Sequence, residues 1–255
     1  MAFTLPPVTD RNQMRIPRVY QPIPLVLEHE VTLDDTASQH LLKVLRLREG
    51  ASVIIFNGHG ESFEGVVTGS SGKRASVKLL QRIRSETESP LQLHVGLGIS
   101  KGERMDYAMQ KLVETGVHSI TPLLTDYTVV KLDNKREQTR RLHWQGIIIS
   151  ACEQCGRSTL PQLHHVCNIS QWITAASDEC KLVFDATGTV KLESIEPRPA
   201  SVSVLIGPEG GLSEHEVSFA SRNGFQVVRL GPRILRTETA AVAISAALQT
   251  LWGDY

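Results

Sequence analysis

Two glycine-proline segments carry residue types from which a ligand site can be built. LGPRILRTETA, residues 230–240, places Ile234 and Leu235 between two arginines and ahead of a glutamate flanked by threonines. LIGPEGG, residues 205–211, contains three glycines, which permit positive φ and let a ligand approach the backbone closely. Together the segments favour a ligand with an aromatic base, held by backbone groups and aliphatic side chains, and with one polar end.

Both segments lie where a strand is predicted to pass into a helix. Ser213 and Glu216 form a capping-box pattern, which predicts that a helix begins directly after the first segment. Because ligands of open α/β sheets bind beyond the carboxyl ends of strands, two such turns at neighbouring strand ends predict a shared pocket. A pair of tight turns that serve only packing is the alternative. Neither segment matches G-x-G-x-x-G or G-x-x-x-x-G-K-[ST], so dinucleotide and triphosphate loops are poorly supported.

The elements that must position these turns alternate from Pro90 onward. Strands are predicted at LQLHVGLGI, HSITPLL, CKLVFDAT, SVSVLIG and QVVRLG, with segments of helical periodicity between them. The final helix, TAAVAISAALQTLWG, is rich in alanine, which suits either a packing face or a subunit interface. This alternation predicts an α/β domain with a parallel sheet covered by helices.

The residues before Pro90 follow a different pattern. Apolar residues recur with a period of two from Leu25 to Leu33, which predicts a strand, and a short helix capped by Thr36 or Ser38 follows. Asn57-Gly58 then predicts a hairpin within a β-rich stretch. The prediction is a small antiparallel barrel that ends near Arg84, where the polar sequence RSETESP forms a linker.

Composition and charge exclude several classes of protein. The 27 basic and 27 acidic side chains cancel, so the whole chain is not a general polyanion binder. Residues 11–84 hold 11 basic and 7 acidic side chains, so either a nucleic-acid surface or a solvated face is predicted there. The apolar runs are too short for a membrane span and the first residues do not resemble a signal peptide. We expect a cytoplasmic protein with no membrane partner, and four cysteines agree with a reducing compartment.

Several longer motifs carry a resemblance to a known family. They are MRIPRVY (14–20), HLLKVLRLREG (40–50), KGERMDYAMQKLVETGVHSITPL (101–123), EQCGR (153–157), LIGPEGGLSEHE and LGPRILRTETAA. They closely resemble the bacterial 16S ribosomal RNA uracil-N3 methyltransferase family, which belongs to the SPOUT class of methyltransferases with a deep trefoil knot. The resemblance extends from about Met14 to the end of the chain.

The resemblance implies a PUA-like RNA-binding β-barrel at 14–84, a linker at 85–90 and a knotted SPOUT methyltransferase domain with a parallel sheet at 91–255. Residues 1–13 precede the family's usual start, so we expect either an upstream extension or a misplaced start codon. The resemblance also implies S-adenosylmethionine as the cofactor and a homodimer. The knot cannot be predicted from the sequence pattern, because ordinary topology rules reject knots. The residues implied to hold the cofactor are Ile206, Gly207, Gly211, Leu230, Gly231, Ile234, Leu235 and Thr237.

The implied reaction is methylation of N3 of a specific uridine in the 16S rRNA of the assembled small ribosomal subunit. The protein must orient the reactants and help uracil lose its N3 proton, which leaves negative charge on O2 and O4. We therefore expect Arg236 to stabilise the anion, and Glu238 or Glu209 to accept the proton. A structural ion pair of the dimer is the alternative role for these side chains. Phosphate contacts are predicted for Arg15, Arg18, Lys43, Arg46, Lys101 and Arg104, for each of which a solvated surface charge is the alternative.

Three features of the chain leave alternatives open. Asp126 and Tyr127 stand where the family often has a Glu-Arg pair, so the role of that loop is open. Cys152 and Cys155, with the histidines and cysteine at 164–167, could form a zinc site, but the EQCGR motif is explained without metal and none is predicted. The alternative functions are a SPOUT methyltransferase acting on another RNA such as tRNA, and an RNA-binding ribosome-assembly factor with an idle pocket.

Overall fold

The computed structural model describes residues 16–129 and 134–255, which form two compact units. Within the described residues, the first unit is 16–87 with Glu153–Leu160, and the second is 88–129 and 134–152 with Pro161–Tyr255. No sequence pattern predicts that Glu153–Leu160 joins the first unit. None of the helices in the described ranges combines the length and the apolar character needed to cross a membrane.

The first unit is built on a five-stranded mixed sheet in the order β1-β3-β4-β5-β2. Its strands are β1 (Arg18–Tyr20), β2 (Glu30–Thr32), β3 (Ser52–Phe56), β4 (Ser62–Ser71) and β5 (Arg74–Ile83). Neighbouring strands are antiparallel, except that β1 runs parallel to β3. A short helix, α1 (Asp35–Gln39), passes into a π-helical turn at His40–Val44. Buried side chains of the sheet and of this helical segment form one apolar core, which includes Leu33, Leu41, Ile55, Val77 and Leu79.

Two local predictions for the first unit were wrong, and the predicted hairpin is confirmed except for the length of its loop. The strand predicted from Leu25 to Leu33 is shortened to β2. The chain turns at Glu28, which has a φ of 65°, just before β2 begins. Helix α1 is capped by Asp34, whose carboxylate accepts the N–H of Ala37 at 2.8 Å, and not by Thr36 or Ser38. The hairpin between β3 and β4 is present, but its loop spans residues 57–61 instead of a two-residue turn.

The second unit contains a parallel sheet in the order β12-β10-β11-β6-β7-β8, with β9 paired beside β7. The strands are β6 (Gln92–Gly98), β7 (Ser119–Leu124), β8 (Gln162–Leu163), β9 (Cys167–Asn168), β10 (Cys180–Phe184), β11 (Ser201–Ile206) and β12 (Gln226–Val228). The helices are α2 (Glu103–Glu114), α3 (Asn134–Cys155), α4 (Ile169–Ala175), α5 (Glu214–Arg222) and α6 (Thr237–Trp252). The predicted parallel α/β domain is confirmed, whereas the two-residue strands β8 and β9 are too short to produce a readable period.

Helix α6 packs against α2 through a buried polar contact as well as through its apolar face. The Thr115 hydroxyl, just after α2, donates to Ser245 at 2.8 Å, and the buried Gln249 amide donates to the carbonyl of Thr115 at 3.0 Å. These bonds satisfy polar groups that would otherwise be costly to bury. They hold α6 against α2, and the first turn of α6 directly follows the second glycine-proline segment.

Candidate active site

A cavity of ≈ 610 Å³ lies beyond the carboxyl ends of three parallel strands. The two glycine-proline turns follow β11 and β12, and β10 lies between those strands in the sheet. The sequence pattern predicted that the two turns follow neighbouring strands, and this prediction was wrong. They flank the end of β10, where Asp185 and Ala186 complete the wall of one shared cavity.

All eight residues that the family resemblance assigned to the cofactor line this cavity. The sequence reading missed Phe184, Asp185 and Ala186 because no glycine-rich motif marks the end of β10, although the DATG sequence at 185–188 is a turn signal. It also missed Leu212, before α5, and Ala240 and Ile244, on the face of α6 that closes the cavity. The larger part of the lining is apolar or backbone.

The first turn is packed tightly against its surroundings. A Cβ at Gly207 would lie 2.8 Å from the carbonyl carbon of Gly211, and a Cβ at Gly98 would lie 2.5 Å from the nitrogen of Pro208. Gly211 has a φ of 74°, and its N–H donates to the carbonyl of Pro208 at 2.9 Å. Glycine is therefore required at these positions by close approach or by backbone conformation.

The capping box predicted at the start of α5 is present and extends to a second loop. Glu216, only 3% exposed, accepts the N–H of Ser213 at 2.8 Å, and Ser213 Oγ accepts the N–H of Glu216 at 3.2 Å. Glu216 also accepts the N–H of Asp126 at 2.8 Å, and the Ser213 hydroxyl donates to the Asp126 carboxylate at 2.6 Å. The loop after β7 is therefore bonded to the helix cap that follows the first turn.

Glu209 joins the first turn to the loop after β6. Its carboxylate accepts the backbone N–H of Lys101 at 2.8 Å and lies 3.4 Å from the guanidinium of Arg104. Burial acts to raise the pKa of Glu209, but the hydrogen bonds from backbone N–H groups and the charge of Arg104 outweigh it, so the pKa is lowered. A carboxylate with a lowered pKa is a weaker proton acceptor, so these contacts favour an anchoring role for Glu209.

The second turn has fewer partners. Arg229 donates to the carbonyl of Gly231 at 3.0 Å, and Gly231 has a φ of 71°. Ile234 is 93% exposed. Arg236 occupies the N-cap of α6 with an exposed side chain that makes no capping bond, and no carboxylate pairs with it in the described ranges.

Thr237 and Glu238 form the first turn of α6. Thr237 is buried and lines the cavity, whereas the neighbouring Arg236 and Glu238 are not among the lining residues. The Oε2 atom of Glu238 is buried and has no hydrogen-bond partner among the described residues. The structure thus brings Glu209 to the cavity wall, and places Arg236 and Glu238 on either side of a wall residue.

The predicted RNA-binding residues occupy different environments, and Arg15 lies outside the described residues. Arg18 donates to Ser158 Oγ at 2.9 Å and lies over the ring of Phe56, so its guanidinium is engaged within the first unit. Lys43 and Arg46 are exposed at and after the π-helical turn. Lys101 and Arg104 are exposed beside Glu209 in the second unit.

The EQCGR motif has contacts within the first unit. The Glu153 carboxylate accepts the backbone N–H of Tyr20 at 3.1 Å, and burial raises the pKa of this carboxyl. Arg157 is buried, and its carbonyl accepts a hydrogen bond from Arg18. In the described parts of the chain, no three histidine, cysteine or acidic side chains are arranged to hold a metal ion.

A parallel α/β domain with this backbone-rich cavity, accompanied by a small mixed β-sheet unit, defines the class of PUA-containing RNA methyltransferases. The chain matches the family model of the RNA methyltransferase domain over residues 87–249 and that of the RNA methyltransferase PUA domain over residues 33–80. A ribosomal RNA small subunit methyltransferase E from Neisseria gonorrhoeae, solved with S-adenosyl methionine, has a TM-score of 0.89 and 38% identity. That alignment covers 94% of this chain and 100% of the other.

Curated relatives agree with this assignment. The ribosomal RNA small subunit methyltransferase E of Buchnera aphidicola subsp. Schizaphis graminum is 35% identical over 94% of this chain and 98% of its own length. The Bacillus subtilis protein of the same name is 30% identical over 84% of this chain and 89% of its own. The chain therefore belongs to the ribosomal RNA small subunit methyltransferase E family, and the resemblance inferred from its motifs is confirmed.

Proposed function

We propose that this protein transfers a methyl group from S-adenosylmethionine to N3 of a specific uridine in 16S rRNA. The observation that carries the proposal is the cavity between the glycine-proline turns, which all eight cofactor-assigned residues line. Its volume of ≈ 610 Å³ falls within the range of ordinary small-molecule sites. The names of the curated relatives and the cofactor in the Neisseria structure support the same reaction.

The residues present fit S-adenosylmethionine. Gly211 and Gly231, where a Cβ would meet nothing within 4 Å, leave backbone open to a ligand, and Ile206 and Leu235 offer apolar surface for an adenine ring. When bound, the cofactor supplies a sulfonium methyl group with a good leaving group. The protein residues then have to hold the base and ribose and to orient the reacting uridine.

Arg236 and Glu238 are proposed to promote the loss of the N3 proton from uracil. The Arg236 guanidinium has no carboxylate partner in the described ranges, so it is available to stabilise negative charge on O2 or O4 of uracil. Glu238 has a buried carboxylate oxygen without a partner, and it is the better candidate for the proton acceptor. Glu209, held by Lys101 and Arg104, is proposed as an anchor of the loop after β6 instead of the base.

The wider organisation follows from the same proposal. We place the RNA-binding domain at 14–84, the linker at 85–90 and the methyltransferase domain at 91–255, with a trefoil knot around the cavity and a homodimer as the active form. RNA contacts are assigned to Arg15, Arg18, Lys43, Arg46, Lys101 and Arg104. Because the substrate is the assembled small subunit, we expect the protein to act in the cytoplasm.

Methyl transfer from labelled S-adenosylmethionine tests this proposal. Undermethylated small subunits, free 16S RNA and tRNA are offered separately, and the product nucleoside is identified. N3-methyluridine in the 16S RNA of small subunits is the expected result. Label in tRNA alone would move the substrate to another RNA, whereas cofactor binding without any transfer would favour a ribosome-assembly factor.

A further inference from the structure

The loop after β7 forms a rigid turn at the edge of the candidate active site. Thr128 N–H donates to the carbonyl of Thr125 at 3.0 Å, and Thr125 N–H donates to the hydroxyl of Thr128 at 2.9 Å. The two hydroxyl groups also lie 3.0 Å apart, within hydrogen-bond distance. These bonds close residues 125–128 into a turn, with Asp126 and Tyr127 at its two central positions.

This turn is fixed to the cofactor side of the molecule from two directions. Asp126 is bonded through its N–H to the buried Glu216 and through its carboxylate to Ser213, as described above. Tyr127 lies against the first glycine-proline turn, where a Cβ at Gly210 would meet Tyr127 Cβ at 2.9 Å and Cγ at 3.4 Å. The absence of a side chain at Gly210 therefore lets the tyrosine contact the backbone of the cavity wall.

Tyr127 presents an aromatic ring to solvent at this position. The residue is 49% exposed, and its hydroxyl has no hydrogen-bond partner among the described residues. Gly210 and its neighbour Glu209 line the cavity, and Glu209 holds the exposed cations Lys101 and Arg104. An exposed aromatic ring next to a cofactor cavity and two exposed cations is a combination that suits an unstacked nucleobase and its phosphates.

We infer that Tyr127 is a substrate-binding residue that stacks on the target uracil at the entrance of the cavity. The inference rests on the proposed function, since it supplies a contact for the same substrate. A methylated base must leave its stack before it reaches an active site, and an aromatic face replaces the stacking that it loses. The anchored turn keeps the ring in place, so little conformational entropy is lost when the base binds.

The test compares four variants by steady-state methyl transfer to undermethylated small subunits. Tyr127→Leu removes the aromatic face and keeps an apolar side chain, whereas Tyr127→Phe and Tyr127→Trp retain a face. Tyr107→Leu is the matched control, because Tyr107 is 48% exposed on α2 and has no part in the cavity wall. The affinity for S-adenosylmethionine is measured for each variant by calorimetry, and its melting temperature confirms folding.

Loss of a stacking contact is expected to lower kcat/KM for the small subunit about tenfold in Tyr127→Leu. Tyr127→Phe and Tyr127→Trp keep the aromatic face, so their kcat/KM should remain within about threefold of wild type. The affinity of these variants for S-adenosylmethionine should not change. Tyr107→Leu should behave as wild type. This pattern would establish the inference.

Three results would overturn it. These are full activity of Tyr127→Leu, an equal loss in Tyr107→Leu, or a loss in Tyr127→Leu that follows weaker cofactor binding alone. If Tyr127→Leu does not fold, loss of activity in the folded Tyr127→Phe and Tyr127→Trp variants would also refute stacking. Failure of the proposed function is distinguishable, because the wild-type protein would then form no N3-methyluridine.

Discussion

The two glycine-proline turns have similar sequences but differ in how the rest of the chain holds them. The turn after β11 is packed on Gly98, joined through Glu209 to Lys101, and followed by a capping box that is itself bonded to Asp126. The turn after β12 receives side-chain bonds from Arg229 alone in the described ranges. It carries the almost fully exposed Ile234 and ends at an uncapped helix start.

The turn after β11 is therefore a preorganised wall of the cavity, whereas the turn after β12 is a wall whose functional groups are available to a ligand. Preorganised groups cost little entropy on binding, which suits the part of the cofactor wall that the first turn supplies. Groups without partners inside the chain, such as Arg236 and the buried oxygen of Glu238, are free to interact with charge that develops during reaction.

Gly98→Ala should have the largest effect on the anchored turn. The new Cβ would lie 2.5 Å from the nitrogen and Cδ of Pro208, so the turn must shift. Overpacking of this kind lowers the free energy of unfolding by about 1–3 kcal/mol. A displacement of this wall near the reacting groups lowers methyl transfer by about a hundredfold, measured by initial rates.

Gly146→Ala is the matched control for this variant. A Cβ at Gly146, in the middle of α3, meets nothing within 4 Å. This variant should gain about 0.5–1 kcal/mol in free energy of unfolding, because alanine suits a helix interior better than glycine, and transfer should be unchanged. Wild-type transfer by Gly98→Ala would contradict the importance of the packed turn.

Glu209→Ala should have a moderate effect, through RNA and not through the cofactor. Without the carboxylate, Lys101 and Arg104 lose the group that fixes their loop, and the KM for small subunits should rise about fivefold. Glu209→Gln keeps an acceptor for the Lys101 N–H and should lose less. A fall in kcat of a hundredfold or more with KM unchanged would instead identify Glu209 as the base.

The smallest effect is expected at the opposite end of the sheet. Asp178 accepts hydrogen bonds from His94 on β6, at 3.0 Å, and from Ser203 on β11, near a second cavity of ≈ 700 Å³. Asp178→Asn should lower the free energy of unfolding by about 1 kcal/mol at pH 7, measured with urea, and leave methyl transfer unchanged. Impaired transfer in a folded variant would show that this region contributes to the reaction.

The same carboxylate gives a pH dependence of stability. Burial acts to raise the pKa of Asp178, but hydrogen bonds from His94 and Ser203 outweigh it, so the pKa in the folded state lies below its ordinary value of 3.8. Its contribution is therefore present above pH 3.8 and is lost as the pH falls through the folded pKa. The difference in stability between wild type and Asp178→Asn should shrink as the pH falls below 3.8 and through the folded pKa of Asp178.

The fold could be predicted where the signal is local. The alternation of strands and helices is visible in hydrophobic periodicity, and the start of α5 is specified by Ser213 and Glu216 within four consecutive residues. The placement of β10 between β11 and β12 could not be predicted, because strand order depends on contacts between distant segments. Asp185 was missed as a wall residue for this reason, and because no glycine-rich motif marks the end of β10.

The candidate site was predictable to a similar extent. The glycine motifs identify both turns, and every residue assigned to the cofactor lines the cavity. The contacts of Glu209 with Lys101, and of Asp126 with Glu216, join residues roughly a hundred positions apart and leave no trace in local spacing. The hydrogen bond from Arg18 to the carbonyl of Arg157, in the EQCGR segment, was likewise invisible in the sequence.

The most direct test of the different roles of the two turns is the single-turnover rate of methyl transfer by Arg236→Ala, with cofactor affinity measured in parallel. Arg222→Ala, at the end of α5, is the control for loss of a positive charge. We predict that the rate in Arg236→Ala falls by about 10²–10³-fold while the Kd for S-adenosylmethionine stays at the wild-type value. An unchanged rate, or a loss explained wholly by weaker cofactor binding, would contradict the catalytic role of the second turn.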